Sequence, residues 1–199
     1  MKHMLIGGVV GGIILFVWGF LAWTVLPLHN ASLRSIDNED RVTEVLASNL
    51  GSHGVYKFPN NPADDEELSP EEQQLATDDW AKKMQRGPVG MIVYDPHGGD
   101  PSMSGQMLSG FIIDLVSAML AVWLLSRSTA LTASFVSRVA YCGMLGILIS
   151  VFTHLTNWNW LAFPMDYTSA MITDTVIGWL LAGIGIAAVV KAPAQGATA

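Results

Sequence analysis

The sequence contains a single cysteine, Cys142, so no disulfide can form within the chain. Charged residues are also scarce, at 14% of the chain against 51% hydrophobic residues, and this balance excludes an ordinary soluble domain. Gly-x-Ser-x-Gly, P-loop, dinucleotide-binding glycine, His-Glu-x-x-His and paired zinc-cysteine motifs are all missing. Without a nucleophile or a cofactor motif, the sequence predicts no enzymatic class and assigns no cofactor.

The apolar residues are concentrated in four long runs. A helix of about twenty apolar residues crosses roughly 30 Å of hydrocarbon, and each run has that length. The first run is too long for the apolar core of a cleaved signal peptide, and it ends in Thr24-Val25-Leu26-Pro27, so we expect a retained anchor. The four predicted membrane spans are residues 4–26, 107–126, 135–155 and 170–190.

The orientation is predicted from the lysines and arginines that flank the spans. Lys2, Arg127, Arg138 and Lys191 all fall on one side, and short cytoplasmic segments retain positive charge. We therefore expect a multi-pass protein of the bacterial inner membrane with both termini in the cytoplasm.

The predicted fold class is an all-α membrane protein with four transmembrane helices. A small α+β extracytoplasmic domain is inserted between helices 1 and 2. The expected boundaries are 1–26 for the first helix, 27–106 for the acidic domain, and 107–199 for three helices and a short cytoplasmic tail.

The acidic domain has the local signals of two helices and two short strands. Asp37 is the expected cap of a helix that reaches Leu50, and Ser69-Pro70-Glu71-Glu72 predicts a second helix start with a capping box. Residues 54–58 and 91–94 are strand-like and are expected to pair. About eighty residues with two short strands make a small core, so we expect this domain to lean on other helices or on a partner.

The charge of the domain excludes one class of ligand. Residues 27–106 contain fourteen acidic and six basic side chains, and they have no basic stripe with interleaved aromatics. Such a surface repels phosphate backbones, so no nucleic-acid partner is expected.

Three ionisable residues interrupt the predicted spans. Asp114, His154 and Asp174 should lie at a similar depth toward the exported side and could converge. Ionisable groups in hydrocarbon are costly and indicate a functional site by default. A converged cluster would handle protons or ions, whereas separate groups would only hold helices together.

Histidines and methionines suggest weaker metal candidates. His29 and His154 could hold a b-type haem, although Pro27 interrupts the helix before His29. His97, Met103 and Met107 offer soft ligands for copper.

Glycines dominate one face of the first span. Gly7, Gly8, Gly11 and Gly12 form overlapping small-xxx-small pairs that let another helix approach closely. That helix could belong to the same bundle or to a foreign subunit, and the first span is separated from the others by a long domain. The leading hypothesis is therefore a non-catalytic accessory or assembly subunit, with other integral membrane subunits and the lipid bilayer as partners. A small proton- or ion-handling protein is the alternative, and a haem or copper protein comes third.

Overall fold

The computed structural model describes residues 2–62 and 68–190, and the chain is mostly helical, at 71%. The described residues form two compact units. Unit 1 is drawn from Met1–Arg34, Asp100–Asn159 and Phe163–Ala199, and unit 2 from Ser35–Gly99 and Trp160–Ala162. Lys191, the fourth cation of the predicted orientation, lies outside the described residues, as does the predicted tail after it.

Within residues 2–62 and 68–190, four helical segments are long and apolar enough to cross a membrane, which confirms the four predicted apolar helices. Their bounds differ from the predicted spans by up to six residues, most at the end of the third segment and at the start of the last. The last begins at Met165 rather than residue 170, because Pro164 is its N-cap residue, in extended backbone. The four segments are α1 (Lys2–Thr24), α4 (Ser104–Leu125), the continuous segment Phe135–Leu161, and α8 (Met165–Val189).

The third segment is longer than predicted because its helix does not stop at the polar residues near His154. It runs as α6 (Phe135–Ile149), a π-helical turn (Ser150–Leu155) and α7 (Thr156–Leu161). The Ser150 hydroxyl donates to the Gly146 carbonyl over 2.8 Å, within a stretch where the backbone bonds change register. A four-residue helix, α5 (Thr129–Thr132), precedes α6.

The core of unit 1 lies where the long helices meet. α1 packs against α4 and α8, and α6 packs against α8. The buried side chains are mainly small or branched apolar residues, as close helix packing requires. They include Ala121, Val122, Leu125, Cys142, Trp179, Ile186 and Val190.

The glycine face of α1 docks helices of the same chain. All four glycines are buried. A Cβ on Gly8 would lie 3.1 Å from Met119 Cγ of α4, and one on Gly11 would lie 2.8 Å from Ile186 Cδ1 of α8. The long connection after α1 therefore does not stop it from packing between α4 and α8.

Arg138 is buried, although its sequence position predicts an exposed cation that flanks a membrane span. It is buried within α6, and its guanidinium donates to the Thr132 carbonyl over 2.6 Å and to the Ala187 carbonyl over 3.2 Å. Ala187 lies in the last turn of α8, where carbonyls lack helical partners and attract cations. Arg138 thus caps a neighbouring helix instead of facing water.

Unit 2 contains the elements predicted for the acidic domain. They are α2 (Glu39–Asn49), β1 (Gly54–Phe58), α3 (Pro70–Arg86) and β2 (Gly90–Tyr94). The strands pair antiparallel, with Val55 opposite Val93. The capping box at Ser69 and Glu72 is confirmed, but α2 starts two residues after Asp37, with Asn38 in left-handed backbone at its N-cap.

Unit 2 has no buried core in the part of the chain that the structure describes. Every described residue of Ser35–Gly99 and Trp160–Ala162 is exposed or only half-buried. Several large apolar side chains stay in solvent, among them Val55 at 64%, Leu75 at 69% and Val93 at 73% exposure. The prediction of a small core is thus confirmed in an extreme form.

Candidate functional site

The most distinctive polar cluster of unit 1 begins where α1 ends. Pro27 has no N–H and stops the helix, so the Leu21 carbonyl accepts from the amides of both Val25 and Leu26. The chain then turns back, and Ser32 fixes the turn by donating its hydroxyl to the His29 carbonyl over 2.9 Å. This turn brings the His29 side chain under cover, at 2% exposure.

His29 is held between an aromatic ring and a carboxylate. Its imidazole stacks on the indole of Trp23, with ring centroids 3.9 Å apart and planes inclined by 14°. Its Nε2 lies 3.1 Å from Oδ2 of Asp174, a residue of α8. The second carboxylate oxygen, Oδ1, accepts a hydrogen bond of 2.6 Å from Nε1 of Trp18. Asp174 therefore joins the end of α1 to the middle of α8 through two side chains.

The hydrogen bonding fits one proton shared between His29 and Asp174. An ionised carboxylate only accepts, so His29 then donates from Nε2. The other ring nitrogen, Nδ1, is buried and has no hydrogen-bond partner among the described residues.

A second carboxylate lines the same cavity as Asp174. Asp114 of α4 and Asp174 both line a cavity of about 200 Å³, together with Thr175 and Trp18. His154 contacts this cavity wall indirectly, because its Nε2 lies 3.0 Å from the Thr175 hydroxyl oxygen. The structure thus brings Asp114, His154 and Asp174 into one neighbourhood, but the histidine bonded to Asp174 is His29.

The metal candidates find other partners. His29 and His154 each direct Nε2 at a protein oxygen, so neither Nε2 is free to ligate haem iron in this arrangement. His97 belongs to unit 2, and Met103 and Met107 belong to unit 1. Across residues 2–62 and 68–190, no group of three or more His, Cys, Asp or Glu side chains is arranged to hold a metal ion.

Sequence reasoning considered His29 only as a haem ligand and missed its pairing with Asp174. The two residues are 145 positions apart, and nothing in the pattern after Pro27 states where the turn folds back. One signal was available, since Trp18, Trp23 and His29 are polar-edged rings at one end of an apolar helix. Polar atoms of such rings usually form hydrogen bonds when they are buried. Asp174, a carboxylate in an apolar helix, is a suitable acceptor for them.

A second carboxylate–imidazole cluster lies in unit 2, on the exposed segment after β2. Oδ1 of Asp95 accepts from the His97 backbone amide over 3.0 Å and lies 3.0 Å from His97 Nδ1, while Oδ2 lies 3.3 Å from His53 Nδ1. The amide of His97 contributes most, and the two imidazoles add to it, in lowering the pKa of Asp95 below its usual range. These contacts hold the segment after β2 against the turn that precedes β1.

We expect the Asp95 carboxyl to titrate below the usual aspartate pKa of about 3.9. Because the folded pKa is depressed, the cluster stabilises the fold above about pH 4, and this contribution is lost as the pH falls through the lowered value. Carboxyl-detected NMR titration measures it. His97→Ala should raise the pKa only partly, since its backbone amide stays in place. An Asp95 midpoint at or above the usual value would contradict the described contacts.

In chain order, the described residues form four helices of membrane-spanning length, and the elements of a small α+β unit follow the first of these and precede the second. Comparisons of this chain with protein-family models, with curated proteins and with solved structures find no match.

Proposed function

We propose that this chain is a non-catalytic accessory or assembly subunit of a larger protein complex in the bacterial inner membrane. In this proposal the four helices cross the bilayer and both termini face the cytoplasm. Unit 2 lies in the periplasm, where its partner binds. Support for the orientation comes from Lys2 at the start of α1 and Arg127 just after α4, since positive charge favours the cytoplasmic side.

The observation that carries the proposal is the missing core of unit 2. Val55 and Val93 are directly opposite each other on one face of a two-stranded sheet, and both are mostly exposed. An isolated two-stranded sheet is marginally stable in water and needs a covering layer. A partner that covers this face would remove apolar surface from water, which contributes roughly 25 cal/mol per Å².

Charge gives the chemistry expected of that partner. The segment that contains unit 2 is strongly acidic, with fourteen acidic and six basic side chains in residues 27–106. Complementary potentials steer association and exclude wrong partners. The partner surface is therefore apolar at its centre and basic at its rim, and it belongs to another integral membrane subunit.

Co-purification tests the proposal. The full chain, tagged at its C-terminus and produced at its native level, is extracted in a mild detergent and weighed by native mass spectrometry. We expect another membrane subunit in fixed stoichiometry, and we expect Val93→Asp to release it. Val45→Asp is the matched control, because Val45 is also exposed, at 54%, but belongs to α2 and not to the sheet. Recovery of the chain alone, or equal effects of the two variants, would sink the proposal.

A second candidate function, the handling of protons or small cations, is favoured by the His29–Asp174 pair. The imidazole is buried, and its Nδ1 has no hydrogen-bond partner in the part of the chain that the structure describes. Its carboxylate partner lines a cavity that a second carboxylate also lines. Carboxylate and histidine side chains inside membrane helices form proton relays in pumps and transporters. Here His29 would bind and release the proton, and Asp174 would stabilise the charged imidazole.

Proton flux into proteoliposomes under an imposed potential tests this second function. The purified chain should give flux above that of empty vesicles, and Asp174→Asn should abolish it. Asp166→Asn is the matched control, since Asp166 is an exposed carboxylate on the same helix. Flux equal to that of empty vesicles would rule this function out.

A further inference from the structure

An apolar groove runs along unit 1 at the end where α1 begins and α4 ends. Its volume is about 430 Å³, which is within the range of roughly 300–1,000 Å³ common for ligand sites. Its walls are apolar except for one ammonium group. The lining residues are Lys2, Met4, Leu5, Met119, Val122 and Trp123.

A second cation lies beside the groove. The Arg127 guanidinium is 4.8 Å from the ring centroid of Trp123, whose indole lines the groove. A planar guanidinium stacked on an aromatic face keeps its N–H groups free for two oxygens of an acceptor such as phosphate. The groove is thus an apolar channel with two basic side chains at one end of the bundle.

No carboxylate neutralises these cations within the described residues. Neither Lys2 nor Arg127 forms an ion pair there. Residues 1–36 and 115–165 contain no acidic side chain, and the one acid of α4, Asp114, lines the cavity shared with Asp174 instead. The Lys2 ammonium and the Arg127 guanidinium are therefore available to bind an anion from outside the chain.

A neighbouring groove provides an internal comparison. It lies between α1 and α8, has a volume of about 360 Å³ and is lined only by uncharged residues. That groove can hold an acyl chain of any lipid. The groove at Lys2 differs from it by its two cations, which is the difference that selects a headgroup.

We infer that the groove at Lys2 binds one anionic phospholipid. An acyl chain lies along Leu5, Met119 and Val122, and the phosphate sits between the Lys2 ammonium and the Arg127 guanidinium. Basic side chains near the cytoplasmic leaflet attract anionic lipids, and an apolar groove beside them holds the tail. The binding of this lipid does not depend on a protein partner or on proton transfer.

Native mass spectrometry of the full chain with phosphatidylglycerol and phosphatidylethanolamine of identical acyl chains tests the site. We expect the wild-type chain to retain phosphatidylglycerol preferentially. Lys2→Gln and Arg127→Gln should each weaken its binding about fivefold, and together roughly 25-fold, as expected for basic groups at an anionic surface. Lys82→Gln in unit 2 is the matched control and should leave the preference unchanged.

Filling each groove separates headgroup from tail recognition. Leu5 is 59% exposed, so Leu5→Trp fills the Lys2 groove at little cost to the core and should reduce phosphatidylglycerol binding. Leu181→Trp fills the uncharged groove and should leave the phosphatidylglycerol preference intact. Equal retention of the two lipids by the wild type, or an unchanged preference in the double glutamine variant, would overturn the inference.

Discussion

Gly12→Ala is expected to destabilise the bundle by about 1–3 kcal/mol, the usual cost of overpacking a close contact. A Cβ on Gly12 would lie 2.7 Å from Leu115 Cα and 3.1 Å from Leu115 N, so the backbone of α4 has to move. At about 2–4 °C per kcal/mol for a chain of this size, Tm in detergent should fall by roughly 2–12 °C.

Gly19→Ala is the control for this experiment. Gly19 lies on the same helix, and a Cβ placed there meets nothing within 4 Å. Both substitutions bring the same change in helix propensity, so the difference between the two Tm values isolates the contact of α1 with α4. If the two variants melt together, α1 does not pack on α4 through its glycine face.

Asp174→Ala is expected to cost about 1–3 kcal/mol, because it leaves the buried His29 imidazole without its partner, whereas the Trp18 indole N–H keeps the backbone carbonyl of residue 174 as an acceptor at 3.1 Å. The lost contacts tie the turn after α1 to α8, so the turn should also become accessible to hydrogen exchange. Chemical unfolding in detergent measures the loss. The matched control is Asp114→Ala, since Asp114 lines the same cavity but has no hydrogen bond within the described residues.

A double-mutant cycle of Asp174→Ala with His29→Ala isolates the pair itself. Residues in direct contact commonly show coupling energies of about 0.5–3 kcal/mol, and we expect a value in this range. A coupling energy near zero would mean that His29 and Asp174 act independently, and the pairing would have to be given up.

The elements that the sequence predicts best are those fixed by local chemistry. β1 begins and ends as expected, because Val55 and Tyr56 favour strand and Pro59 cannot continue it. α3 begins as expected, because Ser69, Pro70 and Glu72 satisfy the first amides of the helix within four residues. The four long helices follow from apolar composition alone.

Features set by distant contacts could not be derived in the same way. Arg138 occupies the sequence position of a cation that flanks a membrane span, yet its guanidinium binds the Ala187 carbonyl of α8 inside the bundle. His29 lies beyond the apolar run, and only the turn after Pro27 places it against Asp174. The glycine face of α1 predicts that some helix docks there, but it does not state which helix, since α4, α8 and a foreign helix satisfy the same spacing.

In unit 2, the sequence predicts the helices and strands but does not show what stabilises them. Its strands and helices match the predicted pattern, and its helices α2 and α3 have no buried residue. Local propensity is enough to specify these elements but supplies little of the burial that stabilises a domain. Because the described elements of unit 2 form without a buried core, we propose that another subunit covers its apolar face.

The most direct test of the account is the sidedness of unit 2 and of the connection between α4 and α6 in intact cells. In a Cys142→Ala background, single cysteines replace Ala47 on α2 and Thr129 on α5, both exposed. A membrane-impermeant maleimide should label Ala47→Cys in whole cells, and it should label Thr129→Cys only after the membrane is opened. Labelling of Thr129→Cys in whole cells, or protection of Ala47→Cys there, would contradict a bundle that crosses the membrane with unit 2 outside.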